Sequence, residues 1–206
     1  RAAHQAGPRS RGHPPQPVQR VRPVPSTATA RASRERQAVT ILFAHGLESG
    51  PVGRKSQALV DAGYEVIAPD CRGLDLAQRV ARLVDSLVAA QASGVLPLLV
   101  GSSFGGIAGL VAALVATERG VTLPGLVLCA PALMLPPPPA TVERLRCPAR
   151  TIVVHGTRDE VIPLELSRRF AAEHGAALRE VDDDHGLGHA GLPVILAAVR
   201  ELHAPR

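Results

Sequence analysis

Ser103, Asp159 and His185 have the side-chain types for acyl transfer: a hydroxyl that can attack a carbonyl, an imidazole that can take its proton and a carboxylate that can orient the imidazole. Ser103 is the centre of Gly101-Ser102-Ser103-Phe104-Gly105, a G-x-S-x-G arrangement in which Ser102 is not the centred serine. Such a match arises readily by chance in a Gly-rich chain, so its surroundings decide its meaning. The apolar run Leu96 to Val100 reads as a buried strand, and the apolar segment from Phe104 to Ala116 as a buried helix. A serine at the apex of that turn has its hydroxyl pushed out at the carboxyl edge of the sheet, with the next backbone N–H and the helix N-terminus aimed at the same point. Gly101 and Gly105 flank it where strand and helix backbones crowd together, and a Cβ at either place would clash.

Asp159 falls in the loop just past the apolar run Thr151 to Val154. Taken alone it would serve equally well as a turn or helix-capping aspartate. His185 follows Asp182-Asp183-Asp184 in the loop after the run ending at Val181, and alone it would pass for a solvated surface histidine. His189 lies in the same loop, and sequence distance does not choose between the two. His185 is the expected base because it follows the strand closely and Gly186 lets the loop turn, whereas a solvated or capping role suffices for His189. The chain order Ser103, Asp159, His185 is the order that goes with a serine turn of this kind. His45 and His155 end strands beside glycines and are expected to be structural, and Glu48, Arg72 and Arg158 to be solvated loop charges.

The elements that must position these residues alternate. Strands are expected at 39–44, 64–70, 96–100, 126–130, 151–154 and 178–181, and helices at 54–62, 74–92, 104–116, 164–174 and 192–203. That alternation predicts an α/β fold, a doubly wound, mostly parallel sheet with helices on both faces and a crevice off the carboxyl ends of its strands. Residues 131–148 read as irregular and include four consecutive prolines, Pro136 to Pro139. Residues 1–37, rich in Arg, Pro, Ala and Ser without apolar periodicity, read as a disordered tail, and 38–206 as one domain.

The formal net charge of +5 belongs to that tail, since residues 1–36 hold eight of the 23 Lys and Arg and one of the 18 Asp and Glu. The remainder is slightly acidic, and aromatic residues make up 2% of the chain, which speaks against nucleic acid as a partner. Cys71, Cys129 and Cys147 are odd in number and form no C-x-x-C pair, so neither a disulfide framework nor a metal site is expected. No apolar stretch is long enough and free enough of Gly and Pro to span a bilayer. The cytoplasm is the expected location, with an organelle as the alternative if the Arg-rich tail is a transit peptide.

From about residue 38 onward the chain resembles the α/β-hydrolase superfamily, through its His45-Gly46 loop, its G-S-S-F-G-G turn and its H-G-T-R-D-E-V-I-P segment, and within it the small, nearly lidless branch of YqiA-like bacterial esterases. The resemblance implies Ser103 as nucleophile, Asp159 as acid, His185 as base and the backbone N–H groups of Leu47 and Phe104 as the oxyanion hole. The chain departs from the family pattern in two ways: the usual first strands are not visible in the Arg/Pro tail, so a reduced sheet is expected, and residues 131–148, where many relatives insert a helical cap, are too short for a large lid. The reaction expected is hydrolysis of a small-molecule carboxylic ester or thioester through an acyl-enzyme, with no cofactor. Two alternatives stand beside it: action on an amide, a C–C bond or an acyl acceptor other than water, and a non-catalytic interaction protein of the same fold.

Overall fold

The computed structural model describes residues 39–204. The tail expected over residues 1–37 lies outside the described residues. The strands are β1 (Thr40–Ala44), β2 (Glu65–Ile67), β3 (Leu98–Ser102), β4 (Leu126–Cys129), β5 (Thr151–Gly156) and β6 (Ala177–Val181). The helices are α1 (Arg54–Asp61), α2 (Leu76–Ala92), α3 (Phe104–Glu118), α4 (Leu164–His174) and α5 (Gly191–His203).

The six strands form one sheet in the order β2-β1-β3-β4-β5-β6, and every neighbouring pair is parallel. From β1 the chain steps to β2 on one side, then returns past β1 to β3 and continues outward. This reversal puts a switch point between β1 and β3, where their carboxyl ends part and a crevice opens. Right-handed crossovers then send α1 to one face and α2, α3 and α4 to the other.

Side chains of the central strands alternate between those faces. Leu42, Leu99, Leu128 and Val153 pack with Leu83 of α2, Leu110 of α3 and Phe170 of α4. Ile41, Phe43, Val100 and Val154 pack with Leu59 of α1 and Ile195 of α5. Because both faces are covered, β1, β3, β4 and β5 are buried along their whole length and read as unbroken apolar runs. The helix α3 is apolar on all sides for a related reason: it lies between the sheet and α2 and buries eleven of its fifteen residues.

Several element ends differ from the sequence expectation, each for a local reason. The edge strand β2 stops at Ile67 because Pro69 has no N–H to offer a ladder. The strand β3 starts at Leu98, after Pro97, and leaves Leu96 exposed. The helix α2 starts two residues later than expected, at a reciprocal cap: Gln78 N–H donates to Asp75 Oδ1 at 2.8 Å and Asp75 N–H to Gln78 Oε1 at 3.0 Å. Val88 of α2, expected on the apolar stripe, lies at its edge and is exposed. Between β4 and β5 the chain forms neither helix nor strand, as expected, and it crosses the carboxyl edge of the sheet.

Candidate active site

Ser103 occupies the single residue between β3 and α3, at φ 54° and ψ −116°. A non-glycine residue in that region is strained, and the surrounding backbone must hold it there. Its N–H donates to the Cys129 carbonyl at 2.8 Å, and its carbonyl accepts from Gly106 at 2.8 Å and Ala132 at 3.1 Å. The two flanking glycines are sterically required. A Cβ on Gly101 would stand 2.7 Å from the Gly105 carbonyl oxygen, and one on Gly105 would land on the carbonyl oxygens of Ala44 and His45. The turn thus draws the start of α3 hard against the end of β1.

Asp159, past the end of β5, and His185, past the end of β6, converge on this serine. His185 Nε2 lies 3.0 Å from Ser103 Oγ, and His185 Nδ1 lies 2.8 Å from Asp159 Oδ2. With Nδ1–H donating to the carboxylate, Nε2 is left as the acceptor of the serine proton. Asp159 Oδ1 accepts from the N–H groups of Val161 at 2.9 Å and Ile162 at 2.8 Å. Burial pushes the Asp159 carboxyl up, but the hydrogen bonds from Ile162, His185 and Val161 outweigh it and hold the group below its ordinary value. It is therefore a carboxylate at neutral pH.

The loop that carries His185 is anchored by a residue that sequence reasoning passed over. Asp183 is buried, and its Oδ2 accepts from the N–H groups of His189 and Gly191, both at 2.9 Å, while Oδ1 accepts from Asp184 N–H at 2.9 Å. Placed in a run of three aspartates it reads as solvated. Its one signal is its position at the end of a strand and ahead of a helix that has no other side-chain cap. Lys55 of α1 braces the same loop, donating from Nζ to the Gly186 carbonyl at 2.6 Å. His189 contributes its backbone to this anchor, and the imidazole between Ser103 and Asp159 is that of His185.

Leu47, after β1, and Phe104, at the start of α3, line the same cleft as Ser103 and His185. Neither backbone N–H donates to another described residue. The β1 loop lies against the serine, since a Cβ on Gly46 would stand 3.8 Å from Ser103 Cβ. His45 is buried and fixes that loop: Nδ1–H donates to the Gly46 carbonyl at 2.8 Å, and Nε2 accepts from Cys71 N–H at 2.9 Å. Burial pushes its pKa down, so the ring is neutral. His155, also buried, donates its Nε2–H to the Ile162 carbonyl at 3.0 Å, and the same nitrogen lies 3.1 Å from Asp159 Oδ2. Arg72 and Arg158 stay exposed, paired with Asp70 at 2.6 Å and Asp182 at 2.8 Å. Glu48 is exposed at the rim of the cleft.

The cleft encloses about 640 Å³, and its apolar lining includes Met134, Leu135, Val161 and Ile162. Among the described residues no group of three or more His, Cys, Asp or Glu could hold a metal ion, and no helix is long and apolar enough to cross a membrane.

No family model and no curated protein sequence matches the chain. Solved structures do. A protein of Xanthomonas campestris assigned to the alpha/beta hydrolase superfamily is 28% identical, with a TM-score of 0.61 over 80% of this chain and 94% of that one. Est1E from Butyrivibrio proteoclasticus is 20% identical, with a TM-score of 0.62 over 80% of this chain and 86% of that one. The monoacylglycerol lipase of Paleococcus ferrophilus is 19% identical, with a TM-score of 0.57 over 79% of this chain and 93% of that one. The parallel sheet reversing at β1, the strained serine after β3 and these likenesses together give the chain the fold of the alpha/beta-hydrolase superfamily.

Proposed function

We propose that the chain is a serine hydrolase of small carboxylic esters or thioesters. The observation that carries this reading is the unbroken hydrogen-bonded line from Ser103 Oγ through His185 to Asp159, at 3.0 and 2.8 Å. Ser103 Oγ attacks the acyl carbonyl as His185 Nε2 takes its proton, and Asp159 stabilises the imidazolium that forms. The negative charge that develops on the carbonyl oxygen is met by the N–H groups of Leu47 and Phe104. As the tetrahedral intermediate collapses, His185 returns the proton to the departing alcohol or thiol. Water, activated by the same imidazole, then cleaves the acyl-enzyme and restores Ser103.

The apolar walls of the cleft favour an acyl group of hydrocarbon character. The chain's resemblance to YqiA-like esterases and its likeness to a monoacylglycerol lipase of Paleococcus ferrophilus support the same reading.

A fluorophosphonate probe followed by a panel of p-nitrophenyl esters and acyl thioesters tests the reading. The expected result is labelling and turnover in the wild type and loss of both in Ser103→Ala. Labelling without turnover of any ester or thioester would shift the assignment to an amide, a C–C bond or acyl transfer. Absence of labelling would leave a non-catalytic protein of this fold.

A further inference from the structure

Arg79, one turn into α2, is 1% exposed and is the largest fully buried side chain among the described residues. Its Nη1 donates to the His45 carbonyl at 2.9 Å and the Gly46 carbonyl at 3.2 Å, and its Nε to the Leu74 carbonyl at 3.2 Å. The guanidinium carbon lies 4.8 Å from the centroid of the Phe104 ring. Nη2 has no hydrogen-bond partner among the described residues, and none of their carboxylates is within ion-pair distance of the group. The nearby acid, Asp70, is clasped by Arg72 instead. Burying a cation without a counter-charge costs several kcal/mol, and a methionine or leucine would fill the same space without that cost. Packing alone does not account for an arginine here.

The placement does. The Gly46 carbonyl and the Leu47 N–H belong to one peptide group, and in a trans peptide they point in opposite directions. A donor fixed on the Gly46 oxygen from the α2 side turns the Leu47 N–H toward the cleft and polarises it. The other amide of the pair belongs to Phe104, whose ring lies on the same guanidinium. We propose that Arg79 is a positioning residue of the oxyanion hole: a buried guanidinium that, with the His45 Nδ1–H on the same oxygen, fixes the Leu47 half through the Gly46 carbonyl, holds the Phe104 half through its ring, and alone sets a positive charge behind both. Placed so, the charge acts where negative charge appears in the transition state and not in the ground state. This inference rests on the hydrolase reading.

The test compares the wild-type chain with Arg79→Met, which has similar length and no charge, and Arg79→Lys, which keeps the charge but not the fork. For each, kcat and KM on a p-nitrophenyl ester are measured, with the inhibition constant of a trifluoromethyl ketone that adds Ser103 Oγ to become a tetrahedral oxyanion. Arg79→Met is expected to lower kcat by about 100-fold, the size of effect seen when an oxyanion donor is lost, with KM within about threefold. Affinity for the ketone falls in the same proportion, and Arg79→Lys restores kcat only in part. A purely structural arginine would lower Tm without weakening the ketone more than the ester.

If kcat and ketone affinity both stay within about threefold of wild type, or if KM alone rises, the inference is overturned. Should Arg79→Met fail to fold, Arg79→Lys decides: kcat at least about tenfold lower at unchanged KM supports the inference, and wild-type kcat refutes it. A wild type that is labelled by fluorophosphonate and turns over ester while its Arg79 variants match it would sink this inference alone. A wild type that is neither labelled nor active would sink the hydrolase reading and this inference with it.

Discussion

Asp159 Oδ2 stands between two imidazoles: His185 Nδ1, which donates to it at 2.8 Å from the cleft side, and His155 Nε2, which lies 3.1 Å away on the interior side while donating to the Ile162 carbonyl. His155 is held in turn by Ser167, whose hydroxyl donates to Nδ1 at 2.7 Å. Replacing this ring strands the Ser167 hydroxyl and the Ile162 carbonyl in the core. His155→Leu should therefore cost about 2–4 kcal/mol of stability, typical of orphaned buried polar groups. Asp159 keeps all three of its donors, Val161, Ile162 and His185, so kcat should fall by no more than about tenfold. Thermal melts and ester kinetics on the same preparation check both parts.

His185 and His189 should separate cleanly. His185→Ala removes the only imidazole within reach of Ser103 Oγ among the described residues, and kcat should fall by roughly three or more orders of magnitude at unchanged Tm. His189→Ala keeps the backbone N–H that Asp183 uses and should change kcat by less than about tenfold. A reversed pattern in steady-state kinetics would move the base to His189.

Asp183 gives the fold an acid-sensitive joint. Burial raises its carboxyl, but the N–H groups of Gly191, His189 and Asp184 outweigh that and hold it below the ordinary value. A carboxyl lowered in the folded state contributes stability in full above its unfolded pKa, about 3.9, and loses it as pH falls toward the folded value. Asp183→Asn should cost about 1–3 kcal/mol at pH 7, as for hydrogen bonds to a charged group, and the gap to wild type should narrow below about pH 4. Urea melts at neutral and acid pH read this difference.

Short acyl chains should be preferred. The segment between β4 and β5 brings Met134 and Leu135 to the cleft but forms no helix that could roof it. A long tail would leave most of its methylenes in water, each giving up about 0.8 kcal/mol of burial. Values of kcat/KM on p-nitrophenyl esters should peak between about C2 and C8, and a steady rise to C16 would contradict this.

What was legible in the sequence follows a physical division. The strands β1, β3, β4 and β5 are buried on both faces, so their apolar runs stand out. Ser103 and Asp159 sit just past the carboxyl ends of β3 and β5, whereas His185 follows β6, a mostly unburied edge strand, and its signal was its closeness to Val181 and the Gly186 after it. Arg79 and Asp183 were hidden by their own chemistry. A charged residue in a helix or an acidic run reads as solvated, and only tertiary structure shows it buried against backbone groups. The shortness of β2 was hidden too, because an edge strand has no second neighbour to sharpen its ends.

The position of α5 ties the packing of one sheet face to the catalytic loop. Every strand pairing is parallel, so no hairpin can form early and each neighbour waits on a crossover. The face lined by Ile41, Phe43 and Val100 is covered by Leu59 of α1 and by Ile195 and Val199 of α5. That helix is tied by Gly191 to Asp183, and so to the loop that carries His185. Any change that loosens α5 from the sheet therefore also loosens the loop that holds His185 between Ser103 and Asp159, so packing on the far face of the sheet is felt as a loss of the base.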